Sequence, residues 1–163
     1  MASNAKKIID RYGDGKREEN RSSGDRGDYV MEYKYTKKIL DRYIPTEASV
    51  LEIGCGTGYY GIYLSDKCKK YTGLDITPGN IALFRDKIIE RSLANVETVI
   101  GDATDLSGFD DDSFDVVLTF GPIYHLPPEE SKIAFAESKR VCKKNGIKKR
   151  FVKVFFQKSL FSP

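Results

Sequence analysis

Cysteine, histidine and long apolar runs are scarce in this sequence of 163 residues. No apolar stretch approaches the roughly 20 residues needed to cross a bilayer, and residues 1–10 lack the apolar core of a secretory signal. The expectation is therefore a cytoplasmic chain with no membrane contact. The cysteines, Cys55, Cys68 and Cys142, stand far apart with no Cys-x-x-Cys spacing. That argues against a zinc site or a disulfide framework and predicts reduced, mostly buried thiols and no metal. Acid is missing in one place only: none follows Glu137, and seven Lys or Arg lie between Lys143 and Pro163. A basic tail of this kind can attract nucleic acid or an anionic surface. The body before it carries a mild excess of acid.

What is present is enough for one α/β core, with 40% of residues hydrophobic. Residues 1–28 are polar, with Ile8, Ile9 and Tyr12 as their one large apolar patch, and read as a mobile or conditionally ordered arm. Residues 29–43 carry a helical apolar stripe stopped by Pro45. From there the pattern alternates. Strands are predicted over 49–53, 71–75, 96–100 and 114–120, with helices over 59–65, from Pro78 onward, and from Pro127-Pro128 to about Lys143. Ile81, Phe84 and Ile88 supply the apolar face of the middle helix, and Asn145-Gly146 closes the last one. Strands separated by helices imply a parallel sheet with right-handed crossovers. The expected organisation is an arm and lid helix over residues 1–43, a binding core over 44–146 and a basic tail over 147–163.

The segment with the most chemistry is Leu51-Glu52-Ile53-Gly54-Cys55-Gly56-Thr57-Gly58, placed where a strand turns into a helix. Glycines there let the backbone bend tightly and approach a ligand, while the helix presents free N–H groups. The spacing narrows the ligand. A dinucleotide fingerprint places its third glycine five residues after the first, to pack helix on strand; this chain has Tyr59 there, which disfavours a nicotinamide oxidoreductase. The pattern is instead Glu52-x-Gly54-x-Gly56-x-Gly58. An acid before the turn does not suit a pyrophosphate. It suits a ligand without phosphates, or else it holds the chain's own backbone amides. Asp75 ends the second strand, where a carboxylate can accept from both hydroxyls of a ribose.

This arrangement resembles motif I of S-adenosylmethionine-dependent methyltransferases of the Rossmann-like class, and the later segments resemble the same family in order. Asp75 stands at the family's ribose-binding acid, and Gly101-Asp102-Ala103 resembles the motif whose Asp contacts the adenine amino group. Phe114-Asp115-Val116-Val117-Leu118-Thr119-Phe120 resembles its fourth strand, and residues 137–146 the stretch usually ending in Lys-Pro-Gly-Gly. The resemblance spans roughly residues 49–146. It implies a doubly wound, mostly parallel α/β sheet with helices on both faces. It also implies S-adenosylmethionine as cofactor, S-adenosylhomocysteine as product, and transfer to an O, N or C nucleophile. It assigns cofactor contacts to Glu52, Gly54, Cys55, Gly56, Thr57, Gly58, Asp75, Ile76, Asp102, Ala103, Phe120 and Gly121.

Gly121-Pro122-Ile123-Tyr124-His125-Leu126, after the fourth strand, looks like a Gly-Pro-Leu-Tyr-His-Leu segment of small methyltransferases. It holds the single histidine. Ligands of open α/β sheets sit beyond the carboxyl ends of the strands, so Tyr124 or His125 is a candidate to position the acceptor or remove its proton. A histidine bonded to backbone at a strand end fits the same residues. Tyr12, Tyr29 and Tyr33 are candidate lid residues by position.

The sequence departs from the family after Gly146, where too few residues follow for a fifth strand, a helix and a final hairpin. The expectation is a sheet cut short at the C-terminus, with self-association through an uncovered edge and a tail that reads as out-of-frame translation of an A/T-rich gene. A small-molecule acceptor is expected. A non-catalytic cofactor-binding module and an RNA or protein methyltransferase stay as alternatives, although the Asp/Asn-Pro-Pro-Tyr/Phe/Trp motif of amino-group methylation is absent after the fourth strand.

Overall fold

The computed structural model describes residues 4–13, 15, 27–120 and 125–144. Among the described residues, two helices precede the sheet: α1 (Asn4–Tyr12) and α2 (Gly27–Tyr43). Then follow β1 (Ser49–Ile53), α3 (Tyr59–Leu64), β2 (Lys70–Asp75), α4 (Pro78–Glu90), β3 (Val96–Ile100), β4 (Val116–Thr119) and α5 (Pro128–Val141). The four strands form a parallel sheet in the order β3-β2-β1-β4. That order reverses direction at β1, and the crevice of a doubly wound sheet opens at such a point.

The strands are short, and β1, β2 and β4 are almost wholly buried because both faces are covered, while β3 at the sheet edge is only partly so. Successive side chains of β1 divide between two cores. Val50 joins Leu40, Leu64, Tyr71, Ile81, Phe84 and Leu118 on the face covered by α2, α3 and α4, while Leu51 and Ile53 join Leu74, Leu106, Val117, Ala134 and Val141 against α5. Glu52 therefore falls on the same face as Val50.

The helices start and stop where local chemistry dictates. Pro78 opens α4 behind an extended Thr77, since a proline lacks only an N–H that the first turn leaves unpaired. Acid in the first turn of α5, Glu129 and Glu130, and base in its last, Lys139 and Arg140, match the helix dipole. Arg140 also donates to the carbonyls of Phe109 and Leu106 and to Glu137 and Asp111, which fixes the loop before β4.

One side chain organises the packing around the first turn. Phe84 is fully buried, and its ring lies against three glycines from three different segments. A Cβ built on Gly58 would meet it at 2.1 Å, one on Gly61 at 2.4 Å and one on Gly73 at 3.0 Å. Helix α4 thereby sits down on β2 and α3 at backbone distance.

Several boundaries differ from expectation by a residue or more, and one element was not expected. The fourth strand is shorter than 114–120, because Asp115 is turned back to accept from the N–H and hydroxyl of Ser49. Helix α5 stops at Val141, since Phe114 N–H donates to the Val141 carbonyl and Lys143 N–H to that of Phe114, drawing the chain beside the strand. The expected arm contains the helix α1, formed where Ile8, Ile9 and Tyr12 share a face at one-turn spacing. The closing Asn145-Gly146 and the tail over 147–163 lie outside the described residues.

Candidate functional site

A cleft opens beyond the carboxyl ends of β1 and β2. It is lined by Ile53, Gly54 and Gly56 from the first turn, by Leu74 through Thr77 and Asn80 from the second, and by Gly101, Asp102 and Ala103 from the third. His125 and Leu126 close one side, and Ile8 and Tyr12 of α1 close the top.

The geometry begins with backbone. Gly54 and Cys55 both donate N–H groups to the Leu74 carbonyl, at 2.7 and 3.0 Å, which ties the bend after β1 to the end of β2. Gly56 takes a φ of 55°, a left-handed conformation that favours glycine, and its N–H then points at Asp75 Oδ2, 2.9 Å away. The other carboxylate oxygen accepts from Thr77 N–H at 2.8 Å and from Asn80 Nδ2 at 3.4 Å. Asp75 is thus a buried acid held in one orientation by three donors, from two loops and from the first turn of α4. Asn80 is itself buried, and its Oδ1 finds no donor among the described residues. Asp102 turns its Oδ1 back to accept from the N–H and hydroxyl of Thr104, both at 2.9 Å. That leaves Oδ2 without a recorded partner on a residue lining the cleft.

The sequence candidates divide in two. Gly54, Gly56, Asp75, Ile76, Asp102, Ala103 and His125 come together around the cleft. Glu52, Cys55, Thr57, Gly58 and Phe120 are not among its lining residues, and each has a physical reason to lie elsewhere. Glu52 is buried on the far side of the bend, where it accepts from the Tyr71 hydroxyl. Burial, reinforced by nearby Asp75 against the Tyr71 hydrogen bond, pushes its carboxyl up to about 8. Cys55 is buried beside Gly73, and burial raises its thiol as well. Thr57 is buried and its carbonyl accepts from Lys87 Nζ at 3.1 Å. Gly58 is the seat of Phe84, and Phe120 packs on Tyr60 with ring centroids 5.0 Å apart. Gly121 and Tyr124 lie outside the described residues.

Of the lid candidates, Tyr12 lines the cleft. Tyr33 stacks on Tyr59 at 3.5 Å instead, pinning α2 to α3, and the Tyr29 side chain is outside the described residues. The sequence reading passed over Asn80, Thr77 and Ile8. The signal for Asn80 was a polar side chain in the first turn of an otherwise apolar helix face, five residues after an acid.

Cys55 and Cys68 are buried and Cys142 half-buried, all as free thiols. No group of three or more His, Cys, Asp or Glu able to hold a metal occurs among the described residues, and no helix among them is long and apolar enough to cross a membrane.

The donor set fits a nucleoside with a sulfonium amino-acid tail. It offers fixed carboxylates for hydroxyl and amine donors, an unmatched amide oxygen, apolar walls from Leu74, Ile76 and Ala103, and, among the described residues, no Lys or Arg in the lining. Known proteins point the same way. The methyltransferase domain family matches residues 50–146. The chain is 26% identical over 114 residues to a 2-heptyl-1-hydroxyquinolin-4(1H)-one methyltransferase of Mycobacteroides abscessus, covering 70% of this chain and 48% of that protein. It is 34% identical over 97 residues to a demethylmenaquinone methyltransferase of Listeria monocytogenes, covering 57% and 40%. A solved protein of Pyrococcus horikoshii superposes with a TM-score of 0.66 at 31% identity, over 74% of this chain and 56% of that one. The chain spans about half the length of the curated relatives it matches or less. The chain belongs to the methyltransferase domain family, in the Rossmann-like class that depends on S-adenosylmethionine.

Proposed function

We propose that the cleft binds S-adenosylmethionine, and that the whole protein, in the cytoplasm, moves its methyl group to an O, N or C nucleophile of a small molecule. The observation that carries this reading is Asp75. Its carboxylate ends the strand next to the glycine bend, is held by Gly56, Thr77 and Asn80, and lines the cleft. In that role Asp75 accepts from the ribose hydroxyls and Asp102 from the adenine amine, while Gly54 and Gly56 leave room for the amino-acid tail. Leu74, Ile76 and Ala103 flank the base. When bound, S-adenosylmethionine supplies a methyl group already activated on sulfur, so the protein's task is alignment and exclusion of water. Ile8 and Tyr12 cover the cleft, and His125 at its side is placed to take a proton from the acceptor.

The relatives are named for a hydroxyquinolinone and a demethylmenaquinone, which favours a small-molecule acceptor over a macromolecule. Isothermal titration tests the cofactor: saturable heat with S-adenosylhomocysteine and none with NAD is expected. The reverse result overturns the reading. Transfer of a labelled methyl group into a cell extract by the full-length protein then separates an enzyme from a module that binds and does nothing more.

A further inference from the structure

Helix α1 reaches the cleft as a short segment. It is nine residues long, too short to persist alone in water, and none of its side chains is fully buried. Its two end residues nevertheless converge on one partner. The Asn4 side-chain amide donates to the His125 carbonyl. The Tyr12 hydroxyl lies 3.3 Å from His125 Nε2, with the two rings edge to face at 5.5 Å. Tyr12, His125 and Ile8 all line the cleft, Ile8 and Tyr12 from α1.

The direction of that hydrogen bond goes with the tautomer of the ring. A neutral imidazole has one donor nitrogen and one acceptor, and a phenol is a much better proton donor than a ring N–H. With the hydroxyl donating, Nε2 accepts and the proton of the ring rests on Nδ1.

We propose that Tyr12 is a positioning residue for His125, setting its tautomer through Nε2, and that the same contact latches α1 across the cleft. A ring with a defined accepting nitrogen is the form a general base needs. Because the latch spans the cofactor walls, release of a bound nucleoside requires it to open. This second half rests on the S-adenosylmethionine reading of the cleft.

The single histidine makes the first half directly visible. Nitrogen-15 spectra of the imidazole are expected to show one protonated and one accepting nitrogen in the parent chain, and a mixture of tautomers in Tyr12→Phe, which keeps the ring contact and loses the hydroxyl. Stopped-flow release of S-adenosylhomocysteine is expected to be about fivefold faster in Tyr12→Phe and in His125→Ala, as loss of one hydrogen bond implies. The double variant is expected to release no faster than the faster single one. Identical ring spectra in the parent and Tyr12→Phe overturn the positioning role. Additive release rates, or none changed, overturn the latch. A parent chain that fails to bind S-adenosylhomocysteine sinks the cofactor reading and the latch with it, while the spectra still decide whether Tyr12 sets the ring.

Discussion

Glu52 and Asp75 are acids at the ends of adjacent strands, within one glycine bend of each other, and the fold uses them in opposite ways. Asp75 faces the cleft and is satisfied by donors that belong to the protein's backbone and to Asn80. Glu52 faces the packed layer behind the bend, where its one recorded partner is the Tyr71 hydroxyl and where burial raises it to about 8. Tyr71 is raised by the same burial. An acid in the motif is thus not enough to name a ligand contact. Its place in the pleat decides which side of the bend it serves.

The sharpest way to break this contrast is through pH. The folded pKa of Glu52 lies above its ordinary 4.5, so the folded chain holds a proton that the unfolded chain sheds. The resulting stability is complete below about pH 4.5 and is lost as pH rises through about 8. It amounts to roughly 5 kcal/mol over that window. Glu52→Gln mimics the protonated form, so subtracting its urea-unfolding curves from those of the parent at successive pH values should leave this slope. Parallel curves would mean that Glu52 is ionised throughout.

Next in size is Gly58→Ala. Its φ of 83° and the Phe84 ring 2.1 Å from the added methyl combine strain with overpacking, for a loss of about 3 kcal/mol. Chemical denaturation reads it directly, and a change below about 1 kcal/mol would show that α4 yields easily. On the cleft side, Asp75→Asn should weaken S-adenosylhomocysteine binding about 10- to 100-fold, the scale of a charge-assisted hydrogen bond. Titration calorimetry on a variant shown to be folded by circular dichroism checks it, and unchanged affinity would remove Asp75 from the site. Asp102→Asn comes last. Its carbonyl still accepts from Thr104, so only the contact to the base suffers, and a loss of about fivefold is expected from one weakened hydrogen bond. A larger effect than that of Asp75→Asn would invert the ranking of the two acids.

Much of the fold was legible beforehand. Short apolar runs located all four strands within a few residues, the first of them stopped by glycines, and Pro78 and Pro128 marked two helix starts. What the pattern did not resolve was orientation within the motif. Gly54, Gly56 and Asp75 reach the cleft, whereas Glu52, Cys55, Thr57 and Gly58 are engaged behind it, and that split depends on which face Val50 and Leu51 choose. Helix α1 was hidden for a different reason. Three apolar side chains among polar neighbours carry no fold of their own, and only the cleft beneath Ile8 and Tyr12 gives them something to cover. Asn80 was missed because a polar residue near a helix start usually caps it, while here the cap position is Thr77 and Asn80 turns to Asp75.

Phe84 in its seat of three glycines has a consequence for how this chain can change. The three positions lie against the same ring, so they are not independent sites: a methyl at Gly58 meets Phe84 first and is strained by its φ of 83°, one at Gly61 meets Tyr71 as well as Phe84, and one at Gly73 meets Cys55 Sγ as closely as the ring. A smaller residue at position 84, taken alone, empties a hole bordered by backbone that has no atoms with which to fill it. The four residues therefore form a single unit of variation, and drift at any one of them is tied to compensation at another.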